Sequence, residues 1–184
     1  MGNTAHQPTV LVVDDNRALA DAYVRCLEDR YETRVAYDGA SALAALDGSV
    51  DVVILDRRMP DVSGDEVLEA LRERELGCRV ILATAVDPDT DILELPLDEY
   101  LCKPVDRDSL VDAVERQLSL AEENAPADEF VELHSKLRAI ERTARPQEFE
   151  EDEQLSGLQH RLERLETKLE TDKFEFDEPL DAAL

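Results

Sequence analysis

The chain has 184 residues, enough for one domain of ordinary size and a smaller appendage. Forty-five acidic against 20 basic residues leave a formal charge of −25, a field that repels polyanions and argues against general affinity for nucleic acid or anionic membrane. Only four of the basic residues are lysines, a balance suited to concentrated salt, where screening reduces self-repulsion; an acidic mesophilic protein is the alternative.

The first eight residues are polar, resemble no signal peptide and are expected to be disordered. Residues 9–13 (TVLVV) are a β-branched apolar run that ends abruptly at Asp14 and Asp15, which reads as a buried strand. Residues 17–29 place Leu19, Ala20, Tyr23, Val24 and Leu27 at helical spacing. The pattern repeats as strand 33–36, helix 41–46, strand 50–55, helix 65–74 and strand 79–83, then a short strand 100–102 and an amphipathic helix 109–120. Strands apolar on both faces that alternate with helices predict parallel βαβ units. The expected fold is therefore α/β, a flavodoxin-like, doubly wound, five-stranded parallel sheet over residues 9–120. Between Ala83 and Tyr100, Pro88 and Pro96 leave room for a short or frayed helix only.

Composition changes after Leu120. A polar hinge is expected over 121–127, a helical output or dimerisation segment over 128–171, and a flexible tail over 172–184. Phe130, Leu133, Leu137, Ile140 and Ala144 are spaced 3-4-3-4, as are Leu155, Leu158, Leu162, Leu165 and Leu169, so each makes a narrow seam. Two arrangements satisfy these seams: an antiparallel helical hairpin within one chain, or a parallel coiled coil between two. The coil is slightly preferred, with Arg161 of one chain meeting Glu166 of the other. Residues 121–184 carry nineteen acids and eight bases, and no basic recognition helix is visible. His134 lacks the spacing of a phosphotransfer histidine and reads as a surface residue. Cys26, Cys78 and Cys102 are odd in number, without a CxxC pair, which points to a reducing, cytoplasmic setting. His6, His134 and His160 are equally scattered and outline no zinc site. No apolar run approaches the roughly 18 residues of a membrane span.

The chemistry collects at strand ends. In an open α/β sheet ligands bind beyond the carboxyl ends of the strands. Asp14 and Asp15 end the first predicted strand, Asp56 the third, and Thr84 and Lys103 follow the fourth and fifth, so all five are predicted on one edge. Three converging carboxylates need raised pKa values or a hard cation such as Mg²⁺. A carboxylate can take a phosphoryl group as an acyl phosphate. Lys103 and the Thr84 hydroxyl would then neutralise and hold the phosphoryl oxygens.

These motifs, DD at 14–15, DRRMPDVSG at 56–64, TA at 84–85 and YLCKP at 100–104, resemble the receiver domain of two-component response regulators over roughly residues 8–120. The resemblance implies that Asp56 is phosphorylated by a sensor histidine kinase. It implies that Asp14, Asp15, Asp56 and the Arg58 carbonyl hold Mg²⁺, and that Thr84 and Lys103 grip the phosphoryl group. It further implies a cis bond before Pro104 and a switch in which Thr84 moves and Tyr100 turns inward. Such a protein catalyses its own phosphorylation and hydrolysis and turns over no other substrate. Arg58 is bulky for its position, near the route by which water would reach the acyl phosphate. The helical tail resembles that of HalX-type regulators of haloarchaea, an arrangement compatible with a protein partner, a homodimer or, less readily, DNA.

Overall fold

The computed structural model describes residues 7–85, 92, 95–120, 125–141 and 153–175. Among the described residues the elements in chain order are β1 (Thr9–Val13), α1 (Arg17–Leu27), β2 (Glu32–Ala36), α2 (Gly39–Ala45), β3 (Val52–Leu55), α3 (Gly64–Glu73), β4 (Arg79–Thr84), β5 (Glu99–Cys102), α4 (Arg107–Leu120), α5 (Ala125–Glu141) and α6 (Glu153–Glu175). The strands form one parallel sheet in the order β2-β1-β3-β4-β5, the flavodoxin-like order that the alternation of elements predicts. The short helix predicted between Ala83 and Tyr100 lies largely outside the described residues; of 86–94 only Ile92 is described, and it is buried.

Strand residues alternate between two cores. Val10, Val12, Val52, Ile54, Ile81 and Ala83 face α1 and α4, meeting Ala20, Tyr23, Leu27, Leu110 and Val114. Leu11, Val13, Val53, Leu55, Val80 and Leu82 face the other way, toward Ala42, Val67, Leu68 and Leu71 of α2 and α3. Burial on both faces is why β1, β3 and β4 read as unbroken apolar runs, whereas the edge strand β2 is only partly covered. Helix starts are fixed by side chains that take up free N–H groups: Asn16 accepts from Leu19 N–H, Asp38 from Ser41 N–H, and Asp106 from Ser109 N–H. At α3 the Ser63 and Glu66 side chains form a reciprocal capping box.

The tail differs from expectation in two places. Helix α5 begins at Ala125, inside the expected hinge, because Pro126 falls in the first turn, where no N–H is needed. Helix α6 continues to Glu175, past the start of the expected flexible tail. α5 lies against β5 and against α6. Leu137, Ala139, Ile140 and Leu155 join the α2/α3 core together with Tyr100 and Leu97, and Leu158 and Leu162 pack on it. Arg161, expected to meet Glu166 of a second chain, is paired with Glu129 of its own.

Candidate functional site at the carboxyl ends of the strands

Sheet register builds the site. Val13 pairs with Leu55 across β1 and β3, and Leu55 with Leu82 across β3 and β4, so Asp14 and Asp56 follow at the same level. Their backbones are tied in as well, since Asp56 N–H donates to Val13 O at 2.8 Å and Asp14 N–H to Ala36 O at 3.2 Å. Thr84 is the last residue of β4 and pairs with Cys102; Lys103 comes next and its N–H donates to Thr84 O at 2.9 Å. The Lys103–Pro104 bond is cis, as expected.

The loop that carries Asp56 is clamped by glycine. A Cβ on Gly64, at the end of the 56–64 loop, would stand 2.2 Å from the Asp56 carbonyl oxygen, and one on Gly39 of α2 would stand 2.4 Å from Val62 O within the loop, so only glycine fits at either position. Gly64 N–H also donates to Arg57 O at 2.9 Å. Within the loop Asp61 takes a left-handed backbone, φ 64°, a conformation that aspartate tolerates better than most residues.

Asp14, Asp15, Asn16, Leu19, Tyr23, Asp56, Arg58, Thr84 and Lys103 line one cleft of about 610 Å³. Asp14, Asp56 and Thr84 are buried, whereas Asp15 and Arg58 are exposed at the rim. Lys103 Nζ donates to Asp14 Oδ2 and to Asp56 Oδ1, both at 2.6 Å. The second oxygen of each acid takes a backbone N–H at 2.9 Å, Asp14 from Asn16 and Asp56 from Arg58. Burial pushes the Asp56 carboxyl above the ordinary aspartate range; Lys103 opposes the rise and Asp14 adds to it. Burial alone would lower the Lys103 ammonium, but its two carboxylate hydrogen bonds carry it above the ordinary lysine range.

The structure therefore brings together every residue that the sequence places at this edge. Tyr100 stands apart. It is 4% exposed in the α2/α3 core, its N–H donates to Ser135 Oγ of α5 at 3.2 Å, and it does not line the cleft. Sequence reasoning passed over Gly64 and Tyr23. Glycine eight residues after a strand-end acid was the available signal for the first, and a hydroxyl on an otherwise apolar helix face for the second.

No three described His, Cys, Asp or Glu residues stand at metal-cluster spacing. The donors at the cleft are nonetheless all oxygen, and the charge held between Asp14 and Asp56 is already a cation. That suits Mg²⁺, which takes one or two carboxylates and fills its remaining positions with water and phosphate.

Residues 10–115 match the response regulator receiver domain family. A Haloferax volcanii protein named as a proposed transcriptional regulator is 45% identical over 167 residues, covering 90% of this chain and 28% of its own length. The sensory transduction protein RegX3 of Mycolicibacterium smegmatis is 37% identical over 130 residues, covering 67% of this chain and 57% of its own. The chain thus spans under two thirds of these curated relatives. Among solved structures, a CheY-like receiver domain from Methanospirillum hungatei superposes with a TM-score of 0.58 at 27% identity, over 63% of this chain and 97% of that one.

Proposed function

The chain belongs to the response regulator receiver family, and from that premise we propose that it is a phosphorylation switch whose acceptor is Asp56 and whose donor is a sensor histidine kinase. The observation that carries the reading is Lys103 Nζ, 2.6 Å from both Asp14 and Asp56 at the floor of an open cleft. Asp56 attacks phosphorus as the bond to the kinase histidine breaks, giving an acyl phosphate and returning the nitrogen's electron pair to the histidine. Lys103 then moves from Asp56 to a phosphoryl oxygen, and the Thr84 hydroxyl holds another. Asp14, Asp15, Asp56 and the Arg58 carbonyl would hold Mg²⁺, which when bound supplies charge neutralisation for the transferring group. Self-phosphorylation and hydrolysis are the only reactions in this account.

The output runs through α5 and α6 to a protein partner, because α5 already rests on β5 beside Tyr100. The names of the relatives favour a second reading, a transcriptional regulator. Net acidity over 121–184 stands against direct DNA contact by this tail, and a gel shift with genomic fragments in high salt separates the two. The acceptor is tested by labelling with acetyl phosphate and Mg²⁺. Asp56→Asn abolishes it and Asp61→Asn leaves it intact; undiminished labelling of the Asp56 variant would move the acceptor elsewhere.

A further inference from the structure

Lys103 reaches the acceptor cleft from the residue just beyond β5, a strand of four residues at the end of the sheet, paired to β4. Half of the hydrogen-bonding groups of such a strand face an open edge, so side chains must help to hold it. On the α4 side, Gln117 donates to the buried Glu99 at 2.9 Å and Arg116 pairs with the same carboxylate. On the other side the support is α5. Ser135 Oγ accepts from Tyr100 N–H at 3.2 Å, and Leu137 and Ile140 share a core with Tyr100 and Leu97. Lys136 donates to Leu95 O, just ahead of the strand, at 2.8 Å, with Glu132 balancing its charge. The far flank of α5 is less closely held. A cleft of about 590 Å³ separates it from α4, between Phe130, His134 and Arg138 on one wall and Ser109 and Arg116 on the other. Lifting α5 therefore strips β5 while α4 stays packed on β3 and β4.

We infer that α5 is a strap on the acceptor site: by fixing β5 it fixes Lys103, so a phosphoryl group at Asp56 is held best with α5 docked, and in return it holds α5 down. The inference rests on the phosphoacceptor reading of the cleft and gives the output of the tail a sign. With α5 lifted, Tyr100 N–H and Leu95 O lose their partners on the helix and β5 frays from its open edge. Lys103, whose own N–H is tied only to Thr84 O at the strand end, then loses its fixed place beside Asp56. A phosphoryl group bound in that state lacks the lysine part of its neutralisation. Coupling between two sites is reciprocal, so what the docked strap adds to phosphoryl binding, phosphoryl binding adds to docking. A protein partner that draws α5 off β5 weakens the hold on the phosphoryl group by the same factor.

The test is amide exchange of the full-length chain at constant ionic strength, in Mg²⁺ alone and in Mg²⁺ with saturating beryllofluoride as the phosphoryl mimic. The mimic should slow exchange over α5 and β5 together by about tenfold, an ordinary size for coupling between two sites. A second arm uses Lys136→Glu, which sets a carboxylate against Glu132 and Leu95 O and so lifts α5. Exchange over β1 and β3 equal to that of the parent shows that the rest of the sheet stays folded. In that variant the beryllofluoride concentration for half-saturation should rise about tenfold, because the competent, docked form becomes the minor one. Exchange over α5 that the mimic leaves unchanged or speeds overturns the inference. So does parental half-saturation in a Lys136→Glu chain whose α5 exchanges freely. Should that variant not fold, the exchange of the parent decides alone. A parent that neither gains stability from Mg²⁺ and beryllofluoride nor accepts label from acetyl phosphate overturns the phosphoacceptor reading instead, and the coupling with it.

Discussion

Asp56 is held in a state that folding disfavours. Two backbone or side-chain donors serve its oxygens, yet burial dominates and raises its carboxyl above the ordinary range. Its folded pKa then lies above its unfolded one, so between the two values the folded chain binds more protons and stability falls as pH rises through that window. Above the raised folded value the penalty is fully present. Asparagine keeps the shape and carries no charge, so in metal-free buffer Asp56→Asn should melt higher than the parent at pH 7. The gap should close as the pH drops below the ordinary aspartate range, where both side chains are neutral. Melting curves across pH check this. A variant that melts lower at pH 7 would show that the Lys103 ion pair outweighs the burial of the acid. The four central residues, Asp14, Asp56, Thr84 and Lys103, were legible because a parallel sheet carries every strand end to the same edge, whatever the order of the strands. That the buried Tyr23 hydroxyl has no hydrogen-bond partner among the described residues was not legible, because a missing partner is a property of the packed core and leaves no mark on local spacing.

Among the elements, α5 has the least predictable role. Its seam, Leu133, Leu137 and Ile140, was visible as a period, but its target was not. Ser135 and Lys136 lie between the seam positions, where the spacing alone assigns them no partner. In the structure Ser135 Oγ accepts from Tyr100 N–H of the edge strand β5, and Lys136, 1% exposed, donates to Leu95 O at 2.8 Å and to Glu132 at 2.6 Å. Full burial of a lysine is rare unless it is paired; here the carbonyl and the carboxylate compensate it. The tail thus covers the edge that a fifth strand otherwise leaves open to pairing with another chain. Ser135→Ala should cost about 1 kcal/mol, the net value of one such hydrogen bond, and should speed amide exchange over β5 while leaving β1 and β3 unchanged. Exchange over β5 equal to that of the parent would mean that α5 is held by its apolar contacts alone.

For the whole molecule, the leucine seam decides between two shapes. A coil of two and a half heptads is marginal by itself, and the ion pair proposed to orient it contributes little when exposed, roughly 0.3–0.5 kcal/mol and less in salt. The contacts of the chain favour a seam used internally. Leu158 and Leu162 pack on the cluster that holds Leu137, Ile140 and Leu155, and Arg161 has turned to Glu129. Net charge points the same way: two chains of −25 each repel on approach, most strongly at low ionic strength. The parent is therefore expected to sediment as a monomer in both low and high salt. Leu162→Asp should place a carboxylate on the α5–α6 contact, lowering helical content and the melting temperature of the tail without changing the sedimentation coefficient of the folded chain. A parent that sediments as a dimer, and that Leu162→Asp converts to a folded monomer, would instead assign the seam to two chains and make Arg161–Glu129 a contact of the separated protomer.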